Sequence, residues 1–151
     1  MEGLGALLAH VVSLGDVLYL SGPLGSGKTT MARGFIRARG YRGKVKSPTF
    51  TLVEPYTLAG GIIYHLDLYR LDHPGEAEAM GLRDYLDSEA ICLIEWPERA
   101  GDRMPLATVE VNCDISGVGR SVRIRAHKLL REQLIAELVA MPAENAVEII
   151  D

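Results

Sequence analysis

The octet Gly22-Pro-Leu-Gly-Ser-Gly-Lys-Thr29 lies between the apolar run DVLYLS and the segment TMARGFIRARG. It fits the pattern G-x-x-x-x-G-K-[S/T], which cradles phosphate when a strand precedes it and a helix follows. Both conditions are met. Val17 to Ser21 is β-branched and aromatic enough for a buried strand, and Met31, Ala32, Phe35 and Ile36 continue on one helical face until Gly40. Glycines at 22, 25 and 27 allow a tight turn that aims successive backbone N–H groups at phosphate oxygens, with the positive end of the next helix behind them. Lys28 adds a point charge for the β/γ oxygens, and the Thr29 hydroxyl is a hard oxygen ligand suited to magnesium.

The rest of the chain is read around that loop. With 151 residues the chain reads as one domain able to bury roughly two-thirds of its unfolded surface, so no disulfide scaffold is needed. Cys92 and Cys113 sit inside apolar runs without C-x-x-C spacing and read as buried reduced thiols. Sixteen basic against 20 acidic residues give a formal charge of −4, which argues against a free-standing binder that relies on phosphate neutralisation. Apolar stretches fall short of the ~18 residues that suggest a membrane span, and no basic n-region with a cleavage site opens the chain. A cytoplasmic setting is expected.

Leu4, Leu7, Leu8, Val11 and Leu14 predict a first helix, with Gly15 at a left-handed C-cap. SPTFTLVEPY predicts a loop leading into a strand, GIIYHLDLYRL a strand ending at Asp67, and EAEAMGLRDYL a short helical segment. AICLIEW is a continuous apolar run of the kind buried on both faces of a parallel sheet, and it ends at Glu95. LATVEVNC and SVRIRAH alternate and predict an antiparallel C-terminal hairpin; Leu129, Leu130, Ile135 and Leu138 mark a closing helix. The expected architecture is an α/β fold with a mainly parallel central sheet flanked by helices, with residues 1–141 forming the domain and 142–151 an appended tail.

Two carboxylates at the ends of parallel strands, Asp67 and Glu95, project from the edge that also carries the phosphate loop. One would hold magnesium and the other orient or deprotonate water; spacing leaves the division open. His65 shares a strand face with Asp67 and reads as a hydrogen-bonded structural histidine, and Arg33 and Arg70 are candidates for phosphate or partner contacts.

The series GPLGSGKTT, SPTFTLVEPY, HLDLYRLD, MGLRDYL and LIEWPERAG, in this order from about Leu4 to about Arg125, closely resembles the TsaE (YjeE) family of small bacterial ATPases. The resemblance implies a P-loop NTPase fold and ATP hydrolysis, with magnesium, in the synthesis of threonylcarbamoyladenosine (t6A) in tRNAs that read ANN codons. It implies a TsaD–TsaB heterodimer as partner, with tRNA met indirectly through that complex; no membrane partner and a monomer or weak oligomer when alone are expected. Residue by residue, it makes Lys28 the nucleotide lysine, Thr29 the magnesium hydroxyl, Asp67 and Glu95 the acids of the DLYR and EWP motifs, and Thr49 a loop threonine resembling a switch near the γ-phosphate. The expected nucleotide contacts are Gly22, Leu24, Gly25, Ser26, Gly27, Lys28, Thr29, Thr30, Thr49 and Trp96; the expected metal set is Thr29, Glu95 and Asp67; the expected catalytic set is Asp67, Glu95 and Lys28. Pro23 stands where the family usually has an acid and Ser26 where it usually has alanine. Two rival readings share the loop: a small-molecule kinase, for which no arginine-rich lid is found, and a binding-only nucleotide switch, of which a GTP form lacks its N-K-x-D motif.

Overall fold

The computed structural model describes residues 1–140 and 146–150. Its strands are β1 (Val17–Ser21), β2 (Val53–Leu58), β3 (Gly61–Asp67), β4 (Ile91–Glu95), β5 (Val109–Ser116), β6 (Gly119–Ala126) and β7 (Ala146–Ile150). They form one sheet in the order β2-β3-β4-β1-β5-β6-β7. β1 lies between β4 and β5, parallel to both, and β3 is parallel to β4. The β2–β3 and β5–β6 pairs are antiparallel hairpins. Side chains alternate across the central strands: Leu18, Leu20, Ile91 and Leu93 enter one core, and Val17, Tyr19, Cys92 and Ile94 the other. Burial on both faces explains the continuous apolar runs of β1 and β4.

The first core is covered by α1 (Glu2–Val11), α2 (Lys28–Ala38) and α5 (Lys128–Val139), the second by α3 (Pro74–Ala79), α4 (Leu82–Leu86) and a 3-10 turn over Pro97–Arg103. The two N-terminal helices touch backbone to backbone. A Cβ on Gly34 would stand 2.1 Å from the Glu2 carbonyl oxygen, and one on Gly5 would stand 2.0 Å from that of Met31. Only glycine permits this crossing, and it fixes α2 against the sheet directly behind the phosphate loop. Among the described residues no helix is long and apolar enough to cross a membrane.

Three local expectations change. Helix α1 ends at Val11, and Gly15, with φ 88°, serves the turn into β1 rather than a helix cap. The segment read as one short helix is two, broken at Gly81, whose φ of 77° no continuous helix contains. Helix α5 forms where the closing helix is expected; it buries Leu130 and Leu134 on an i, i+4 stripe and leaves Leu129 and Ile135 exposed. Residues 146–150, expected in an appended tail, instead add β7 as an edge strand parallel to β6. Helix α5 supplies the crossover that a parallel pair requires, and Val147 and Ile149 pack on the first core. Residue 141, the end of the expected domain, and residues 142–145 and 151 of the expected tail lie outside the described residues.

Candidate functional site

Three elements converge on the carboxyl edge of the sheet. Strand β1 runs into the phosphate loop, whose glycines 22, 25 and 27 all have positive φ, and the loop ends at Gly27, the N-cap of α2. Gly22 is required twice over: its φ is 130°, and a Cβ there would lie 2.0 Å from the Cys113 carbonyl oxygen of β5. On the neighbouring strands Asp67 and Glu95 are register partners, and Leu20 of β1 is opposite Glu95. The ladder continues one step beyond the strands, with Leu68 N–H donating to the Glu95 carbonyl oxygen at 3.0 Å and Trp96 N–H to that of Leu20 at 3.2 Å.

Among the described residues the buried polar and charged side chains are Ser26, Lys28, His65, Asp67 and Glu95, all in this region. Buried charges are costly unless paired, so their hydrogen bonds account for the arrangement. The Lys28 ammonium donates to the carbonyl oxygens of Gly22 at 2.7 Å and Pro23 at 2.9 Å, and stands 4.3 Å from the centroid of the Trp96 ring. Burial pushes its pKa below the usual lysine value, against the pull of Glu95, Cys113, Asp67 and Glu98. The Thr29 hydroxyl lies 2.9 and 3.0 Å from the two Glu95 carboxylate oxygens. His65 Nε2 is 2.8 Å from Glu95 Oε1. Asp67 is held differently: Oδ2 accepts from the Thr49 hydroxyl at 2.9 Å, and Oδ1 from the Tyr69 backbone N–H at 3.0 Å.

Among the described residues two non-glycine residues have positive φ, Leu52 at 65° and Trp96 at 57°. Both bracket the acids. The Leu52 carbonyl oxygen accepts the Asp67 N–H, and Trp96 follows Glu95 and turns the chain out of the sheet into Pro97. Strained backbone of this kind persists where the surroundings over-determine it, as functional edges do.

A cavity of about 280 Å³ opens here. From the loop and helix it is lined by Leu24, Gly25, Gly27, Lys28, Thr29 and Thr30, and from the other strand ends by Thr49, Asp67, Tyr69, Glu95 and Trp96. Of the residues expected from sequence, Gly22 and Ser26 do not line it: Gly22 lies at the root of the loop and Ser26 is fully buried beneath it, its hydroxyl 3.5 Å from Lys28 Nζ. Arg33 faces Glu2 at 3.4 Å, and Arg70 lies over the exposed Phe50 ring at 4.4 Å. Sequence reasoning missed Tyr69, Ser47, whose hydroxyl is 2.8 Å from that of Thr49, and Arg120, which donates to the Gly25 carbonyl oxygen at 2.9 Å. Both cysteines are free and buried, and burial pushes each thiol up to about 11.

Chemically, the edge offers an anion cradle of backbone amides and one lysine, beside a hydroxyl and two carboxylates. This donor set of hard oxygens next to a phosphate loop fits magnesium, which takes one or two protein oxygens and shares the remainder with phosphate and water.

Comparisons with known proteins agree with this fold. Residues 1–122 match the model of the family described as threonylcarbamoyl adenosine biosynthesis protein TsaE. The chain is 48% identical over 120 residues to the tRNA threonylcarbamoyladenosine biosynthesis protein TsaE of Haemophilus influenzae, covering 80% of this chain and 76% of the relative. It is 36% identical over 110 residues to the TsaE of Bacillus subtilis, covering 73% and 68% respectively. The crystal structure of Bacillus subtilis YdiB superposes with a TM-score of 0.70 at 28% identity, over 92% of this chain and 86% of that one. A phosphate loop rooted in a mainly parallel sheet, two acids at neighbouring strand ends and this sequence likeness lead to one assignment: the chain belongs to the TsaE family.

Proposed function

We propose that this chain is the magnesium-dependent, ATP-hydrolysing subunit of the machinery that makes t6A in tRNA, cycling with a TsaD–TsaB heterodimer. The family and its relatives, named for threonylcarbamoyladenosine biosynthesis, support a role in that pathway. The observation that carries hydrolysis is the bond from Thr29 to both oxygens of Glu95, with Asp67 in register beside it. It ties the first hydroxyl after the loop lysine to a strand-end acid, the pairing by which P-loop enzymes hold magnesium.

The two acids then divide their work. Thr29 and Glu95 would hold the metal ion, which when bound would supply positive charge to offset that of the phosphate. Asp67, fixed by Thr49 and the Tyr69 N–H, orients the attacking water and accepts its proton. Lys28 leaves its loop carbonyls for the phosphate oxygens and stabilises the charge that develops there. Trp96 walls the cavity against water beside the lysine, and Leu24 and Thr30 line its loop side. The chain works in the cytoplasm, as a monomer or weak oligomer when alone, and meets tRNA only through the complex.

Reconstitution tests this reading. Phosphate release from ATP and magnesium is expected to be slow with the chain alone and to rise with TsaD–TsaB, and t6A formation on tRNA is expected to require the chain. Modification that proceeds equally well without it, or release that TsaD–TsaB leaves unchanged, overturns the assignment.

A further inference from the structure

We propose that His65 is a positioning residue for Glu95, holding its carboxylate in the orientation that receives magnesium. The inference rests on the reading of Glu95 given above and names a residue which that reading does not use.

His65 is fully buried in the middle of β3, two residues before Asp67 on the same strand face. Its Nε2 reaches Glu95 Oε1 at 2.8 Å, while its Nδ1, also buried, has no hydrogen-bond partner. A histidine kept only to knit the core together would be expected to satisfy both nitrogens, since each buried polar atom left unpaired costs stability. Here the single polar contact of the ring goes to the site acid. An ionised carboxylate only accepts hydrogen bonds, so the bridging proton belongs to Nε2.

A glutamate needs such a partner because its terminal torsion is broad. Glu95 Oε1 accepts from two directions, from Thr29 at the start of α2 and from His65 within the sheet. Thr29 is also the hydroxyl assigned to the metal, so it cannot by itself fix the carboxylate it shares the ion with. His65 supplies an anchor that does not depend on the loop. Partners of this kind around metal ligands commonly govern metal affinity or activity by about 10- to 100-fold.

The test compares His65→Gln with His65→Asn, and adds His65→Leu. Glutamine carries an amide N–H at about the reach of Nε2; asparagine, of similar polarity, falls short. ATP affinity is measured by calorimetry in excess magnesium and in EDTA, then kcat and KM for ATP with TsaD–TsaB; thermal melting in EDTA reports the fold. Affinity in EDTA should be the same throughout, because the phosphate loop supplies it. The gain in affinity conferred by magnesium, together with kcat, should fall about 10- to 100-fold in His65→Asn and His65→Leu and stay near wild type in His65→Gln. Equal behaviour of the Gln and Asn variants overturns the proposal, as does a folded Asn or Leu variant with the wild-type magnesium gain. A wild-type chain that gains no affinity from magnesium sinks the underlying assignment of Glu95 first, before any variant is compared.

Discussion

The two halves of the site are built by different means. Around Glu95 the contacts come from regular elements: Thr29 from the first turn of α2, His65 from β3, and Lys28, 4% exposed, over Trp96. Around Asp67 they come from connecting segments: Thr49 from the stretch between α2 and β2, Tyr69 from the turn after β3, and Leu52 through its backbone. Phe50, in the same stretch as Thr49, is 80% exposed. Elements packed on both faces open only with the whole domain, whereas short loops open locally at small free-energy cost. On the proposed function this is a division between a fixed half that would hold nucleotide and metal and a loop-borne half that would complete the chemistry.

The largest effect should therefore come from the loop-borne half and appear in turnover. Asp67→Asn keeps the shape of the side chain and removes the proposed base. With TsaD–TsaB present, kcat should fall ~100- to 10,000-fold, the usual range for lost general-base action, while ATP affinity changes little. Glu95→Gln should lower both turnover and the affinity gained from magnesium. If Asp67→Asn turns over near normally, the division fails and a nucleotide switch that acts by binding alone gains weight.

Next in size is the fixed half itself. A ligand bound only by the folded state adds about 2.7 kcal/mol at a hundredfold excess over its dissociation constant. Differential scanning fluorimetry with ATP and magnesium should show that stabilisation in the wild-type chain, and Lys28→Ala should lose most of it. A Lys28→Ala melting shift equal to that of wild type would show that the loop amides alone suffice.

Which of these features the sequence reveals follows a different division, between local pattern and contacts made across strands. The loop, Lys28 and Thr29 form one contiguous stretch between a strand and a helix, so local pattern suffices. Asp67 and Glu95 were legible because each closes an apolar strand, although 28 positions of chain separate them. The contact of His65 with Glu95 depends on the β3–β4 register, which sets Asp67 opposite Glu95 and which no single stretch encodes. The Tyr69 contribution is a backbone N–H, silent in any side-chain pattern. Strand β7 was missed because its weak alternation, Val147 and Ile149 against Glu148, gains meaning only beside β6 after the α5 crossover.

A moderate effect should separate the hydroxyl of Thr49 from its bulk. Thr49→Val removes the donor to Asp67 Oδ2 and leaves the Tyr69 N–H in place. A hydrogen bond to a charged group contributes about 1.5–3 kcal/mol, so kcat should drop by roughly 10- to 100-fold with KM for ATP nearly unchanged. Thr49→Ser should retain most activity. Should KM rise instead with kcat intact, this loop would belong to the binding half, and the boundary drawn between the halves would have to move.

The smallest expected effect probes whether the fixed half is fixed on all sides. The outer rim of the phosphate loop is tied to the β5–β6 hairpin by one guanidinium: Arg120 donates to the Gly25 carbonyl oxygen at 2.9 Å and to its own neighbour, Gly119, at 2.8 Å. Gly25 is exposed and Arg120 only half-buried, so water replaces much of what the contact supplies. A net hydrogen bond under such conditions contributes about 0.5–1.5 kcal/mol. Arg120→Ala should weaken ATP binding by roughly two- to tenfold, equally with magnesium and with EDTA, because it loosens the amide cradle and touches neither acid. Arg120→Lys, a compact charge without the fork, should recover little of it. A loss of turnover with affinity preserved would mean that the hairpin acts on the chemistry, and the loop would then have to be grouped with Thr49 and Asp67 rather than with Glu95.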